Sequence, residues 1–271
     1  MSNELLVDVS DRVATLTLNR PDKLNAITPT MATSLRQALA ELGRNAEVQV
    51  IIITGAGRGF CAGADVGQLT AIAAGSVTVP AAQAAAPIDA RARAELQLRY
   101  NFLAAVPQPV IACVNGPAAG IGFVLALFAD LRFVANEASF MTSFARRGLI
   151  AEHGSAWGLS RLVGPAHAAD LLLSSRKVGG EEAARIGLAN SAMPADQLIT
   201  FTREYAREMV TSTSPRSLRI IKSQLWALPF QSMAEAFAEG DRLMQESLGT
   251  ADFREGIAHF LEKRPPRFTG L

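Results

Sequence analysis

Two segments of the chain share one design, and this design restricts the possible folds more than any other feature. Each is an apolar strand, then a turn of glycine and alanine, then the start of a helix: IIITGAGRGFCAGAD (residues 51–65) and VIACVNGPAAGIGF (110–123). Small side chains let a ligand approach the backbone, and the first N–H groups of a helix lack partners within it. Two such turns that converge would place two N–H donors around one oxygen atom, as in an oxyanion hole. Taken alone, each segment is also explained by tight packing of a strand on a helix.

The pattern of apolar residues predicts strands and helices in alternation. Alternating polar and apolar residues predict a β-hairpin at 5–9 and 12–18, and Thr28 followed by Pro29 predicts the start of a helix that runs to about Gly43. Further strands are predicted at 48–54, 108–116 and 131–136, and helices at 91–105 and 120–129. Because this alternation extends from residue 48 to 195, it favours an α/β fold with a parallel sheet. After Pro194 the pattern predicts helices at 195–210, 215–227, 232–247 and 250–262.

The overall composition excludes several classes of protein. The chain has 271 residues, a formal net charge of +1 and no basic stripe with interleaved aromatic residues, so nucleic acid is not an expected partner. No apolar run approaches about 20 residues, and the acidic N-terminus lacks a signal pattern, so no membrane partner is expected. Two cysteines, Cys61 and Cys113, do not make a disulfide framework, which favours a reduced, cytoplasmic setting. Neither a phosphate-binding loop, a dinucleotide fingerprint nor metal-ligand spacing is found, so no metal is predicted.

Four motifs carry a resemblance to a known family. The segments NRPDKLNAI, GRGFCAGAD, PVIACVNGPAAGIGFVLALFADLRF and GLIAEHG, in this order and spacing, resemble the crotonase family of enoyl-CoA hydratases and isomerases. The resemblance runs from about residue 5 to the closing HFLEKRPPRF. It implies a crotonase-type spiral of ββα repeats over residues 1–195, with an acyl-CoA site, and a C-terminal helical oligomerisation region over 196–271. It also implies a homotrimer or a hexamer made of two trimers.

The resemblance also implies where a thioester oxygen binds. By motif position, the two oxyanion N–H groups belong to Ala64 and Ile121. Isoleucine stands where the family often has glycine, so its side chain is expected to narrow or redirect the acyl pocket. Asp65 follows the first donor and is expected to cap the next helix.

Coenzyme A contacts are implied at both ends of the chain, and no cofactor is predicted beyond the coenzyme A moiety of the substrate. The residues at the matching positions are Lys23, Leu24, Ala26, Ala62, Asp65, Phe260 and Lys263. A solvated lysine in a turn is the alternative for Lys23, and a charged, solvated terminus is the alternative for the last two residues.

The proton-transfer group is predicted by comparing the family's acidic positions with the residues that this chain has there. Hydratases of the family hold water between two glutamates, and here the matching positions are Val124 and Phe144, which cannot titrate. Glu152, in GLIAEHG, matches the acid of the family's isomerases, and an apolar surround would raise its pKa. The alternative is an acid near the start of the following helix, favoured by the helix dipole. His153 is interpreted as a structural residue, or else as an ancillary acid or orienting donor.

These observations predict an enzyme that moves a proton on an unsaturated acyl-CoA, of the enoyl-CoA isomerase type, with Glu152 as acid and base. Hydration of an enoyl-CoA is the second interpretation, and an acyl-CoA-binding protein without catalysis is the third. Residues 70–90 are rich in alanine and contain two prolines, which predicts a mobile surface segment that is either a lid over the acyl end or a disordered loop. The identity of the acyl group and the choice between trimer and hexamer stay open.

Overall fold

The centre of the fold is a continuous, mostly parallel sheet of six strands. The structure is a computed structural model, and it describes residues 3–77 and 87–270. In this part of the chain the strands are β1 (Leu5–Ser10), β2 (Val13–Leu18), β3 (Val50–Gly55), β4 (Val110–Val114), β5 (Ala118–Ala119), β6 (Leu131–Ala135), β7 (Ser139–Met141), β8 (Val178–Gly179) and β9 (Ser191–Met193). The large sheet has the order β1-β2-β3-β4-β6-β9, and β5, β7 and β8 form a second, smaller sheet.

Local sequence explains the first elements. Strands β1 and β2 form the predicted antiparallel hairpin, with Ser10 opposite Val13 and two left-handed residues in the turn between them. From β2 onward the pairings within the large sheet are parallel, as the alternation of strands and helices predicted. Every residue of β3 is buried, because both faces of the sheet are covered.

The helices connect the strands and then form a layer of their own. They are α1 (Pro29–Arg44), α2 (Val66–Ala73), α3 (Ile121–Leu127), α4 (Ser155–Ser174), α5 (Gly180–Arg185), α6 (Ala195–Ser212), α7 (Pro215–Ala227), α8 (Met233–Leu248) and α9 (Ala251–Glu262). Thr28 caps α1 as predicted, since its hydroxyl accepts a hydrogen bond from the Met31 N–H at 3.0 Å. Among the described residues, no helix combines the length and the apolar character that crossing a membrane requires.

The C-terminal helices differ in how they contact the sheet. Helix α6 packs directly on the sheet, where the ring of Phe201 lies 5.0 Å from that of Phe133, centroid to centroid. Helices α8 and α9 instead leave large apolar side chains exposed, among them Met233, Phe237, Phe260 and Leu261. The proposed division of the chain between residues 195 and 196 stays a prediction.

The prediction of a helix over residues 91–105 is wrong. The segment contains two short 3-10 turns, Ala94–Leu96 and Phe102–Ala105. Polar side chains explain the difference, because they bind backbone groups that a helix would use. The side-chain amide of Gln97 donates to the carbonyls of Asp89 and Ala92, and Asn101 donates to the Glu95 carbonyl at 2.8 Å. Of the predicted mobile segment 70–90, residues 78–86 lie outside the described residues.

The half-buried carboxylate of Asp130 ties α7 to the sheet. Asp130 accepts hydrogen bonds from the Val110 N–H and the Trp226 indole N–H, both at 2.7 Å. The ammonium of Lys222 lies 2.7 Å from the same carboxylate and also donates to the Leu103 and Gln108 carbonyls. Asp130 therefore joins the start of β4 to the C-terminal helical layer.

We expect Asp130→Ala to lower the free energy of unfolding by about 3–5 kcal/mol, because it leaves a buried ammonium without its counter-charge. The loss is measured by urea unfolding. Asp170→Ala is the matched control, since its carboxylate pairs with Arg176 near the surface and such pairs contribute about 0–1 kcal/mol. Equal losses in the two variants would contradict the structural role of Asp130.

Candidate active site

Two buried or half-buried asparagines hold the first glycine-rich turn, which follows β3. The Asn25 amide donates to the Ala56 and Gly59 carbonyls at 2.9 and 2.7 Å. The Asn115 amide donates to the Gly55 carbonyl at 2.9 Å, and its oxygen accepts from the Gly55 N–H at 3.2 Å. Sequence reasoning assigned no role to either asparagine, although both stand inside the motifs that carry the family resemblance. Their side chains replace the backbone partners that an irregular turn lacks.

The two turns with the shared design lie side by side. The Cys61 N–H donates to the Pro117 carbonyl at 3.0 Å, and the Ala119 N–H donates to the Cys61 carbonyl at 2.9 Å. These bonds form a parallel bridge between Cys61 and Ala118, so residues 61–64 run beside 118–121. The predicted convergence of the two turns is therefore present in the structure.

The amide of Ala64 points toward the second turn. On the other side of the segment, the Ile27 N–H donates to the Gly63 carbonyl at 2.7 Å and the Asp65 N–H donates to the Ile27 carbonyl at 3.0 Å. In a parallel bridge of this kind, the residue between the two bonded positions directs its own N–H away from the partner. The Ala64 N–H thus faces the side on which residues 118–121 lie. Ile121 is the first residue of α3, so its N–H has no acceptor within that helix.

Glycine is required where the turns touch. A Cβ atom on Gly122 would lie 2.1 Å from the Cys61 carbonyl oxygen. This distance is too short for any side chain at position 122. Gly63 has a φ of +103°, and a Cβ there would lie 3.0 Å from the Ala119 oxygen and 3.7 Å from the Ile121 nitrogen. The shared glycine-rich design therefore serves the close approach of two backbones.

Glu152 lies in the loop that leads into α4. The loop turns through two left-handed residues, His153 with a φ of 56° and Gly154 with a φ of 75°. Gly154 is the N-cap of α4, no side chain caps this helix, and its first turn holds no acid. The Ser155 N–H donates to the Glu152 carbonyl at 2.9 Å, so Glu152 lies at the start of this helix, and its alternative interpretation as an acid favoured by the helix dipole stays open. Burial raises the pKa of the Glu152 carboxyl, and the charge of Arg99 opposes this rise.

A tyrosine that sequence reasoning missed packs against His153, the residue after Glu152. The rings of Tyr100 and His153 meet edge to face, with 4.9 Å between centroids. Burial raises the pKa of Tyr100, Arg99 lowers it, and the charges of Cys61 and Glu152 raise it further. Tyr100 is left-handed, with a φ of 67°. The wrong prediction of a helix over 91–105 gave no indication of this conformation.

His153 is uncharged at neutral pH. Burial lowers its pKa to about 4, and the positive charge of Arg99 acts in the same direction. The imidazole therefore has one N–H donor and one acceptor nitrogen, rather than a fixed charge.

We expect kcat/KM to rise with pH on the acid side, along a limb centred above the ordinary glutamic acid pKa of about 4.3. If Glu152 is the base, as the sequence predicts, its carboxylate is the active form, and the raised pKa shifts formation of that carboxylate to higher pH. The measurement is kcat/KM across the acid range. A limb centred near 4 would report the titration of His153 instead and would contradict this assignment.

The positions of the two hydratase glutamates are apolar and buried. Val124 is 0% exposed and Phe144 is 4% exposed, and both belong to the hydrophobic core. Burial raises the pKa of Cys61 to about 12, so its thiol stays protonated and packs in the core. Among the described residues, no group of three His, Cys, Asp or Glu side chains is placed to hold a metal ion.

The predicted coenzyme A residues fall into two groups. Residues 23–26 follow the 3-10 turn Pro21–Lys23 and run beside the first turn, where the Ala62 N–H donates to the Leu24 carbonyl at 2.9 Å. This edge therefore brings Lys23, Leu24 and Ala26 next to Ala62. Asp65 caps α2 as predicted, accepting from the Gly67 N–H at 2.9 Å.

Three of the predicted coenzyme A residues either have another partner or lie elsewhere. The Asp65 carboxylate is paired with Arg20 at 2.9 Å, and this hydrogen bond lowers its pKa, so it already has a cationic partner. Phe260 is 76% exposed, and Lys263 is the left-handed residue that ends α9. Within residues 3–77 and 87–270 of a single chain, no contact joins these last two side chains to the first turn.

An apolar cavity of about 330 Å³ adjoins the acid loop. His153 and Gly154 line one side of it, and the rings of Phe128, Trp157 and Phe230 line another. The rings of Trp157 and Phe230 are stacked, with 5.3 Å between centroids. The cavity has the size of a small-molecule pocket, and Glu95, Arg99 and Asn101 add polar groups to its lining.

Comparison with known proteins agrees with this geometry. A model of the enoyl-CoA hydratase/isomerase family matches residues 8–271. A probable enoyl-CoA hydratase of Rhodobacter capsulatus is 38% identical over 268 residues, which cover 97% of this chain and 96% of that protein. The 1,2-epoxyphenylacetyl-CoA isomerase of Escherichia coli K12 is 34% identical over 271 residues, which cover both chains completely.

Solved structures show the same fold. A probable enoyl-CoA hydratase/isomerase from Mycobacterium abscessus superposes with a TM-score of 0.86 and 34% identity, over 99% of both chains. The enoyl-CoA hydratase from Mycobacterium tuberculosis H37Rv gives a TM-score of 0.85 and 30% identity over the whole of both chains. The chain belongs to the enoyl-CoA hydratase/isomerase family, and its α/β architecture with a C-terminal helical region is the crotonase fold.

Proposed function

We propose that the protein is an acyl-CoA enzyme that shifts the double bond of an unsaturated acyl-CoA, with Glu152 as acid and base. One observation carries the proposal: a half-buried carboxyl with a raised pKa stands in the loop that leads into α4, while both positions of the hydratase glutamates are apolar. A single carboxylate suffices for moving a proton from one carbon to another, whereas two are used to hold and activate water.

In the proposed reaction, the thioester oxygen of a 3-enoyl-CoA accepts hydrogen bonds from the Ala64 and Ile121 amides. The Glu152 carboxylate removes a proton from C2, and the electron pair moves to form an enolate whose oxygen these amides stabilise. Glu152 then returns the proton to C4, and the double bond lies between C2 and C3. Donors aimed at a charge that develops only in the transition state raise kcat, with about 3–4 kcal/mol for each donor.

The experiment compares a 3-enoyl-CoA with a 2-enoyl-CoA as substrates of the purified protein. With the 3-enoyl-CoA, we expect the absorbance of the conjugated thioester to appear as the product forms. Rapid loss of that absorbance from the 2-enoyl-CoA, without turnover of the 3-enoyl-CoA, would establish the hydratase reaction instead. Tight binding of acyl-CoA without turnover of any substrate would support a binding protein.

Hydration of an enoyl-CoA is the second candidate function. It is favoured by the names of the relatives, of which most of those compared are called hydratases, and by the uncharged His153 beside Glu152. In this reaction Glu152 and His153 would orient the water that adds at C3.

A homotrimer or hexamer is proposed for the assembly. The exposed apolar side chains of α8 and α9, such as Phe237 and Leu261, support this proposal, because such residues are usually covered by a partner. The two free, buried cysteines are compatible with the proposed cytoplasmic setting.

A further inference from the structure

A second, larger cavity of about 640 Å³ lies between α7, α8 and residues 89–107. Among the described residues, its lining shares only Leu96 with the cavity at the acid loop. The cationic side chains that line it are Arg91, Arg93, Arg216, Arg219, Lys222 and Arg242. Three of them follow one another along α7 at intervals of three residues, so they lie on one face of that helix.

Every one of these cations except Arg219 has a carboxylate as its partner. The pairs are Arg91–Asp89, Arg93–Glu95, Lys222–Asp130, Arg242–Glu239 and Arg216–Glu246. Because each pair uses a different carboxylate, these charges cancel one by one. Within residues 3–77 and 87–270, the Arg219 guanidinium forms neither an ion pair nor a hydrogen bond. One positive charge in the cavity wall is therefore left uncompensated.

The surroundings of Arg219 offer it no free acid. Its Nε is buried without a hydrogen-bond partner, whereas its Nη groups, also unbonded, are not buried. The charge of Asp89 acts on it favourably, but both oxygens of that carboxylate already accept hydrogen bonds from Arg91. Residues 78–86, which lie outside the described ranges, contain no acidic residue. Since charges partly removed from water are normally paired, Arg219 requires an anion from another molecule.

The remainder of the lining indicates what kind of anion fits. Leu96, Val106 and Ile220 give the cavity an apolar wall, which favours a ligand with an apolar body. One positive charge is matched by one negative charge. A carboxylate carries one at neutral pH, whereas a phosphate monoester carries about −1.5 to −2. A guanidinium also binds a carboxylate through two parallel hydrogen bonds.

The apolar face of α8 that supports the proposed assembly is not the face that lines this cavity. Arg242 and Glu246, one turn apart, face the cavity. The exposed side chains of Phe237, Met244 and Leu248 lie on the opposite side of α8, as the repeat of 3.6 residues per turn requires. A partner subunit that covers those apolar side chains therefore leaves the cavity side of α8 uncovered.

We propose that this cavity binds an organic acid with a single negative charge. Its carboxylate accepts hydrogen bonds from the Nη groups of Arg219, and its apolar body packs against Leu96, Val106 and Ile220. The site is additional to the candidate active site, and its ligand needs no coenzyme A moiety. The inference does not depend on the proposed double-bond shift.

The test compares octanoate with 1-octanol, which has the same chain but no charge, by calorimetric titration. The unaltered protein should bind octanoate more tightly than 1-octanol. We expect Arg219→Gln to weaken octanoate binding by about tenfold or more, the effect of losing hydrogen bonds to a charged group, and to remove this preference. Arg185→Gln is the matched control, because it removes the same charge from an exposed pair with Glu182 and should leave the Kd of octanoate unchanged.

Three results would overturn the inference. Octanoate binding that Arg219→Gln leaves unchanged would place the acid elsewhere in the molecule. Equal weakening by Arg185→Gln would reduce the effect to the overall charge of the protein. Failure of the unaltered protein to prefer octanoate over 1-octanol would overturn the inference without any variant. The thermal midpoint of Arg219→Gln, measured alongside, shows that the variant is folded, and loss of an unpaired, half-buried charge should not lower it.

Discussion

Glu152→Gln is expected to lower kcat for the double-bond shift by about 10³-fold, with KM changed only a few fold. General acid–base groups typically contribute about 10²–10⁴-fold, and this site has no second carboxyl at the two hydratase positions to take over. Glutamine keeps the shape of the side chain but cannot accept a proton at working pH. The rate is measured as the appearance of the conjugated thioester from a 3-enoyl-CoA.

Glu137→Gln is the control for this substitution. Glu137 is exposed in the turn between β6 and β7, so the same chemical change there should leave kcat unaltered. An undiminished rate in Glu152→Gln would remove this residue from the mechanism, whichever reaction the enzyme performs. A rise in KM with unchanged kcat would mean that Glu152 binds substrate without moving its proton.

Gly63→Ala is expected to lower kcat by about 10²–10³-fold, the loss associated with one misplaced oxyanion donor. The new methyl group would lie 3.0 Å from the Ala119 carbonyl oxygen, so one turn must move away from the other. Since Gly63 immediately precedes Ala64, that movement displaces the Ala64 amide from the thioester oxygen. The measurement is kcat with a 3-enoyl-CoA, together with the thermal midpoint of the variant.

Gly75→Ala separates crowding from backbone strain. Gly75 has a φ of +70°, in the same left-handed half of backbone space as Gly63, but a Cβ there meets nothing within 4 Å. Gly75→Ala carries a strain cost of about 1–2 kcal/mol and no crowding, whereas Gly63→Ala combines a positive φ with crowding of the paired turns. Similar kcat values in the two variants would show that the contact between the turns has no part in catalysis.

The elements that were predictable from the sequence are those fixed by short-range signals. Thr28 and Pro29 mark the start of α1, and the alternating residues of β1 and β2 mark the hairpin. The close approach of the two turns was predictable for a different reason. Residues 61–64 have only small side chains, and such a run indicates that another backbone or a ligand approaches closely. Their actual contact, through Cys61 and Ala118, required the structure.

The site residues that escaped prediction depend on contacts distant in sequence. Tyr100 stands in a segment whose charges resemble those of a solvated helix, and only the packing of His153 against it reveals its place. Asn25 and Asn115 act through carbonyls some 30 and 60 residues away, as in the Asn25 bond to the Ala56 carbonyl and the Asn115 bond to the Gly55 carbonyl. The roles predicted for Phe260 and Lys263 stay predictions, because a single chain leaves both far from the turn.

The contacts of Asp130 have a consequence for the cooperativity of the molecule. This carboxylate follows the end of α3, whose first residue is Ile121, and it binds both the beginning of β4 and two side chains of α7. Detachment of the C-terminal helices from intact strands would leave the Asp130 carboxylate without the Lys222 ammonium and the Trp226 indole N–H. The thermodynamic stability of the outer helices is thereby linked to that of the segment that begins with the Ile121 amide.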